Sequence, residues 1–167
     1  MNSIFKRRSI RKFTGRPVEE EKIKLMLKAG MCAPSAYGQS EWEYVVVTDR
    51  AQIERLAGVH PHTIALKTAP LAIVPVIAGD RITRNTKYCE QDMAAATENI
   101  LVEAVELGLG AVWMGIMPEK DRIEKAGKVL GLPENVKAFC MIAVGYPESE
   151  PEYMERYDED RVHYNYY

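Results

Sequence analysis

The chain has 167 residues, 47% apolar and 28% charged, with a formal net charge of −2. That length suits one domain with its own core, and that composition excludes the disordered, fibrous and membrane-spanning classes. The balance offers no general attraction to nucleic acid, although residues 1–16 carry Lys6, Arg7, Arg8, Arg11, Lys12 and Arg16 with no acidic residue among them.

The longest apolar run, residues 69–79, is about half of what a bilayer-spanning helix needs. No apolar signal core follows the basic start, so the expectation is a cytoplasmic protein with no membrane partner. Cys32, Cys89 and Cys140 are odd in number and widely spaced, as reduced structural thiols are. His60 and His62 flank Pro61 without a third ligand at metal-binding spacing, so no metal site is expected.

Asn2 or Ser3 can cap a short helix through Phe5 and Ser9, before Gly15 and Pro17 break the chain. Glu19, Glu20 and Glu21 favour a helix start, and Ile23, Met26, Leu27 and Gly30 share one face, which predicts a helix over residues 18–31. Pro34 opens a loop reaching Glu41. Residues 42–48 (WEYVVVT) read as a strand whose three valines suggest burial on both faces. Asp49 can cap a helix through Leu56, and residues 58–68 read as loop with a helical turn. Residues 71–78 form a second strand, with Pro75 arguing for a sheet edge or a bulge. Residues 80–87 read as a solvated loop.

Residues 89–107 read as one long helix. At about 100° per residue, Asp92, Asn99, Glu103 and Glu106 fall together, and apolar side chains take most of the remaining circumference, so the helix is expected to be buried nearly all round. Ala94, Ala95, Ala96 and Ala104 would admit a second copy of the same helix. A central helix of a monomer fits the periodicity as well. A glycine stop, a third strand over 111–116, a helix over 119–130 and a fourth strand over 138–144 follow. The tail, residues 150–167, carries five tyrosines without period. Five aromatics suit disorder poorly, so it is expected to lie against something.

Arg7, Arg8, Ser9 and Arg11 are the densest set of anion donors; on a helix Arg7 and Arg11 would share a face. A solvated basic helix end is the other reading. The loop with Pro34, Ser35, Ala36 and Gly38 is by itself only a helix-to-strand connection. Gly108, Gly110 and Gly115 have the wrong spacing for a dinucleotide fingerprint and follow a helix rather than a strand. No GxSxG elbow and no Walker lysine occurs.

In order, RRSIRKF, APSAYGQSEWEYVVV, QDMAAATENILVEAVELGLGAVWMGI and AVGYP with an arginine-bearing tail make the chain resemble the FMN-dependent nitroreductase family, in its short, single-domain form. The resemblance implies one α+β domain over residues 1–167, with a central mainly antiparallel sheet flanked by helices, a long buried central helix and an intertwined homodimer. It implies FMN at the dimer interface, held at phosphate and ribityl by Arg7, Arg8 and Ser9, with Arg11 at the flavin N1 and C2 carbonyl. Pro34, Ser35, Ala36 and Gly38 would line the partner's FMN. Trp113, Met114 and Gly115 would pack beneath the ring and offer an N–H toward N5. Arg156, or else Arg161, would complete the phosphate site, and residues 150–167 would pack on the partner subunit.

The implied activity is hydride transfer from NAD(P)H through the flavin to a flat acceptor, a nitroaromatic or a quinone, in two half-reactions. Rival readings keep the fold with reductive dehalogenation or flavin breakdown, make the chain a low-turnover flavin-binding redox module, or dock its basic end on an anionic partner. Where the family has APSxxNxQPW this chain has Gly38, Ser40 and Glu41, which is expected to put a negative charge near the entrance. Tyr37 either covers the ring or packs on its own loop.

Overall fold

The computed structural model describes residues 2–84 and 87–167, and its centre is an antiparallel sheet. Four strands run in the order β1 (Trp42–Val47), β2 (Leu71–Ala78), β5 (Cys140–Gly145) and β3 (Gly110–Gly115), and β4 (Val136–Ala138) also pairs with β2. Alternation along each strand sends side chains to opposite faces. On one face Leu71, Ile73, Ala111 and Ile142 meet Met26 of α2 (Glu20–Met31) and Met93, Ala96 and Ile100 of α4 (Cys89–Glu106). On the other Val74, Val112, Met114 and Met141 meet Ile53 and Leu56 of α3 (Arg50–Ala57), Leu66 of the turn Ile64–Lys67, and Ala126 of α5 (Lys120–Leu130). Fully burying each large aliphatic side chain is worth about 1.5–3 kcal/mol, so two cores back to back hold the sheet. Among the described residues no helix is long and apolar enough to cross a membrane.

β2 is central, not an edge as Pro75 had suggested. The alternative, a bulge, lies in the strand opposite: Ile73 pairs with Ile142 and Val76 with Ala138, three steps against four. The extra residue also splits the expected strand over 138–144 at Phe139, whose N–H bonds the Pro75 carbonyl at 2.9 Å. β1 is the edge instead. Its valines are not buried on both faces, because Val46 is 38% exposed on a strand with a neighbour on one side only.

The first helix, α1 (Ser3–Lys6), is capped by Asn2, whose Oδ1 accepts from the Ile4 N–H. It ends sooner than expected, because Ser9 bridges to Ala111 and the Ile10 N–H bonds the Ala111 carbonyl at 3.0 Å. Sheet pairing outcompetes the helix, so Arg7 and Arg11 share no helix face. Of the run read as a solvated loop, Gly79–Arg81 forms a 3₁₀ turn, while residues 85 and 86 lie outside the described residues.

α4 is not buried all round by its own chain. Met93, Ala96, Thr97, Ile100 and Ala104 are covered, but Ala94, Ala95, Val102 and Val105 are only partly so. Part of its polar strip finds partners within the chain: Asn99 Nδ2 donates to the Ala29 carbonyl at 3.0 Å, and Asp92 Oδ2 accepts from the Ala36 N–H at 3.0 Å, while Glu106 is exposed. The helix stops at Gly108, whose φ of +72° suits glycine.

Candidate functional site

The residues after α1 run extended beside β3. Gly110 permits this: a Cβ there would lie 2.7 Å from Ile10 Cγ1, closer than carbon atoms pack. The arm is clamped further along, where Phe13 bridges to Pro147 and the Thr14 N–H bonds the Tyr146 carbonyl at 3.0 Å.

β3 is the last strand of the sheet, and the arm covers only its beginning. In an antiparallel ladder alternate residues turn their backbone groups toward and away from the partner strand. Ala111 turns away from β5 to meet Ile10, so Trp113 and Gly115 turn the same way, beyond the arm. Arg122 of α5 takes the Gly115 carbonyl with Nη1 at 3.0 Å. What remains along this edge is a row of backbone groups that includes the Gly115 N–H.

This edge borders a cleft of about 540 Å³ lined by Arg11, His60, His62, Trp113, Met114, Gly115 and Arg122. The Trp113 ring meets Phe139 edge-on, with centroids 5.4 Å apart. His60 is nearly buried and its Nδ1 accepts the His62 N–H at 3.1 Å. Burial first, then the charges of Arg122 and His62, push its pKa below the ordinary imidazole value, with Asp121 opposing. The set joins the Arg11 and Arg122 cations and two imidazoles to apolar neighbours such as Ile64 and Val112. Such a site suits an anionic or carbonyl-bearing molecule.

The structure therefore brings Arg11 together with Trp113, Met114 and Gly115. Arg8 ends elsewhere, in a second cleft of about 610 Å³ with Lys6, Ile10, Leu109, Tyr146 and Tyr153. There its Nη2 donates to the Met154 carbonyl at 3.0 Å. Arg7 Nε lies 3.1 Å from Glu98 Oε1 on α4. Ser9 sits in the bridge to β3. Arg156 is exposed in the tail and lines neither cleft, and Arg161 Nε pairs with Asp158 at 2.8 Å.

The loop with Pro34, Ser35, Ala36 and Gly38 also lines neither cleft in its own chain. Ser35 Oγ accepts the Ser40 N–H at 3.0 Å, and Tyr37, Gly38 and Ser40 all have positive φ. Tyr37 is 61% exposed, with its ring 6.4 Å from Tyr88. Glu41 is not at an entrance: it is fully buried, with Gln39 Nε2 3.4 Å from its Oε1. Beside it the Asp92 carboxyl is raised above its ordinary value, mainly by burial and also by Glu41, while the Ala36 N–H lowers it. Burial, with Glu41 adding to it, pushes the Cys89 thiol up to about 12.

His60, His62 and Arg122 had no assigned place in this site at the level of sequence. The His-Pro-His pair was visible but suggested only metal chemistry, and Arg122 joins Gly115 across a helix start. Among the described residues no group of three His, Cys, Asp or Glu side chains is placed to hold a metal ion.

The family model described as the Nitroreductase family matches residues 4–78 and 62–146. A Methanothermobacter thermautotrophicus protein provisionally named NADH dehydrogenase/NAD(P)H nitroreductase is 40% identical over 163 residues, spanning 98% of this chain and 85% of its own. The crystal structure of a Clostridium acetobutylicum protein provisionally named NADH oxidase superposes with a TM-score of 0.96 at 45% identity, covering 99% of this chain and 100% of that one. An FMN-dependent nitroreductase from Clostridium difficile superposes with a TM-score of 0.91 at 30% identity, covering 99% of both. With an α+β fold matched over nearly its full length and a donor-lined cleft at the open edge of its sheet, the chain belongs to the nitroreductase family of oxidoreductases.

Proposed function

We propose that the chain is an FMN-dependent oxidoreductase that takes electrons from NAD(P)H and passes them to a flat acceptor, a nitroaromatic or a quinone. The observation that carries this is the meeting of Arg11 with the open backbone edge of Trp113 and Gly115 in one cleft. When bound, FMN would supply the redox chemistry of hydride acceptance and electron release. Arg11 would hold the pyrimidine side and offer it a fixed positive charge. The Gly115 N–H would serve the flavin N5, and Arg122 holds its peptide in place. Trp113 and Met114 would floor the ring site through the strand that carries them.

Ser9, Arg7 and Arg8 would serve the ribityl chain and phosphate, with Arg156 from the tail, although Arg8 opens on the second cleft and Arg156 on neither. The Glu98 partner of Arg7 is 47% exposed. An ion pair that exposed is worth about 0–1 kcal/mol, so a phosphate can displace it. Pro34, Ser35, Ala36 and Gly38 lie away from the cleft of their own chain, which supports their serving the FMN of a partner subunit. The half-covered Ala94, Ala95, Val102 and Val105 of α4 then face that second copy, and the tail packs on it. NAD(P)H and acceptor use the same cleft in turn.

The test is an absorbance spectrum of the purified protein with the released chromophore identified by mass, followed by initial rates at varied NAD(P)H and quinone. Expected are about one FMN per chain and parallel double-reciprocal lines, with Arg11→Ala weakening FMN binding or slowing flavin reduction. A colourless protein that takes up no added FMN overturns the reading.

A further inference from the structure

The Arg122 guanidinium has several N–H donors in a fixed fork and spends one of them inside the protein. Nη1 takes the Gly115 carbonyl at 3.0 Å, and among the described residues the side chain makes no other hydrogen bond and no ion pair. None of its other nitrogens is both sealed from solvent and without a partner, so the donors it does not spend reach solvent. They do so at the wall of the cleft that Arg122 and Gly115 both line. Asp121, the acid next to it in the chain, is paired with Lys125 at 3.3 Å.

The charges of the cleft do not balance. Arg11 and Arg122 line it, and none of its described lining residues carries a carboxylate. In the flavin reading Arg11 answers the negative charge of the reduced ring. Arg122 is then left without a counter-charge, in a chain whose formal net charge is −2. The same cleft also presents an open apolar surface: Ile64, a large aliphatic side chain that the core leaves out, is 61% exposed there. A guanidinium fork together with bare aliphatic surface suits a carboxylate carried on a flat ring. The fork takes the two oxygens and the aliphatic side chain takes the ring.

We propose that Arg122 is a specificity-determining residue of this cleft, receiving the carboxylate of an aromatic acceptor, so that the acceptors favoured are anionic. The inference rests on the flavin reading above and narrows it. A neutral ring of the same shape leaves the spare donors to water, whereas an anionic one completes a charge-assisted pair. The difference between those two affinities is the selectivity.

The experiment compares para-nitrobenzoate with para-nitrobenzamide, alike in ring and nitro group and different by one charge, in wild type, Arg122→Lys and Arg122→Gln. Thermal melts and flavin absorbance establish folding and FMN content. kcat/KM is measured for each acceptor with NADH and with NADPH. Dissociation constants of unreactive benzoate and benzamide are read from the perturbed flavin spectrum of the oxidised protein. The ratio between the two acceptors cancels any change in flavin reduction common to both. Expected is a wild-type preference of about tenfold or more for the anion in both readouts. It should vanish in Arg122→Gln, survive in part in Arg122→Lys, and shrink at high salt.

Equal use of the two acceptors by a folded, FMN-loaded wild type overturns the proposal and leaves the flavin reading standing. A preference that persists in Arg122→Gln overturns it as well, by assigning the anion to another cation of the cleft. So does a loss in Arg122→Gln confined to NADPH, which gives the pairing to the donor's phosphate. A wild-type chain that takes up no FMN overturns both readings.

Discussion

Arg122 Nη1 donates to the Gly115 carbonyl at 3.0 Å, so a side chain from the first turn of α5 sets the peptide plane at the end of β3. A hydrogen bond from a charged donor is worth about 1.5–3 kcal/mol when partly sheltered. Arg122→Ala should lower thermal stability by a few degrees and slow flavin reduction, because the plane carrying the neighbouring N–H is no longer held. Stopped-flow absorbance with excess NADH measures the second effect. Wild-type reduction in a folded variant would confine this bond to a structural role.

The approach of the arm to Gly110 makes a second prediction. In Gly110→Ala the new methyl would meet Ile10 at 2.7 Å, and a Cβ-branched side chain tied by a backbone hydrogen bond yields little. The arm should shift outward and carry Arg11 with it. A loss of about 1–3 kcal/mol in urea unfolding is expected, with a weaker FMN affinity. Ile10→Ala in the same chain should recover part of both; losses that simply add would mean the two sites are independent.

The buried Asp92 carboxyl gives a pH dependence whose sign follows from its raised value. The folded chain holds this proton more tightly than the unfolded chain. The associated stability is therefore complete below the unfolded value, about 4, and is lost as pH rises through the higher folded value. Glu41→Gln removes the neighbouring acid and should flatten this fall. Urea midpoints compared at pH 5 and pH 8 check it, and an equal drop in both proteins would count against the coupling.

Tail deletion tests the expected embrace. Residues 150–167 are exposed in their own chain, attached through Arg8 to the Met154 carbonyl and to the Tyr153 ring, 5.9 Å from the guanidinium. Ending the chain after Pro151 should leave the fold intact and weaken the proposed dimer, seen as dissociation at higher concentration in sedimentation velocity. An unchanged dimer would leave the five tyrosines without a partner surface.

Much of the fold was legible where local signals agree. β2 was read with its observed ends, and α3, α4 and α5 fall within a residue or so because Asp49 caps one start while Gly108 and Gly131 mark two ends. The failures share a cause. α1 stops early, the bulge that Pro75 allowed for falls in the strand opposite rather than at an edge, and Glu41 is interior because of partners far along the chain: Ala111, Phe139 and α4. None of these pairings leaves a trace in spacing. The same holds for the cleft. Arg11 and Trp113 to Gly115 stood out as ordered segments, but His60 and Arg122 join them only because a sheet edge brings three distant stretches together.

That edge has a cost outside catalysis. A strand with free backbone groups invites another strand, and proteins ordinarily blunt such edges with charge, bulges or cover. Here the N-terminal arm finishes half of β3, and the other half is finished by whatever fills the cleft. Cofactor supply would then govern not only turnover but how readily newly made chains stick to one another.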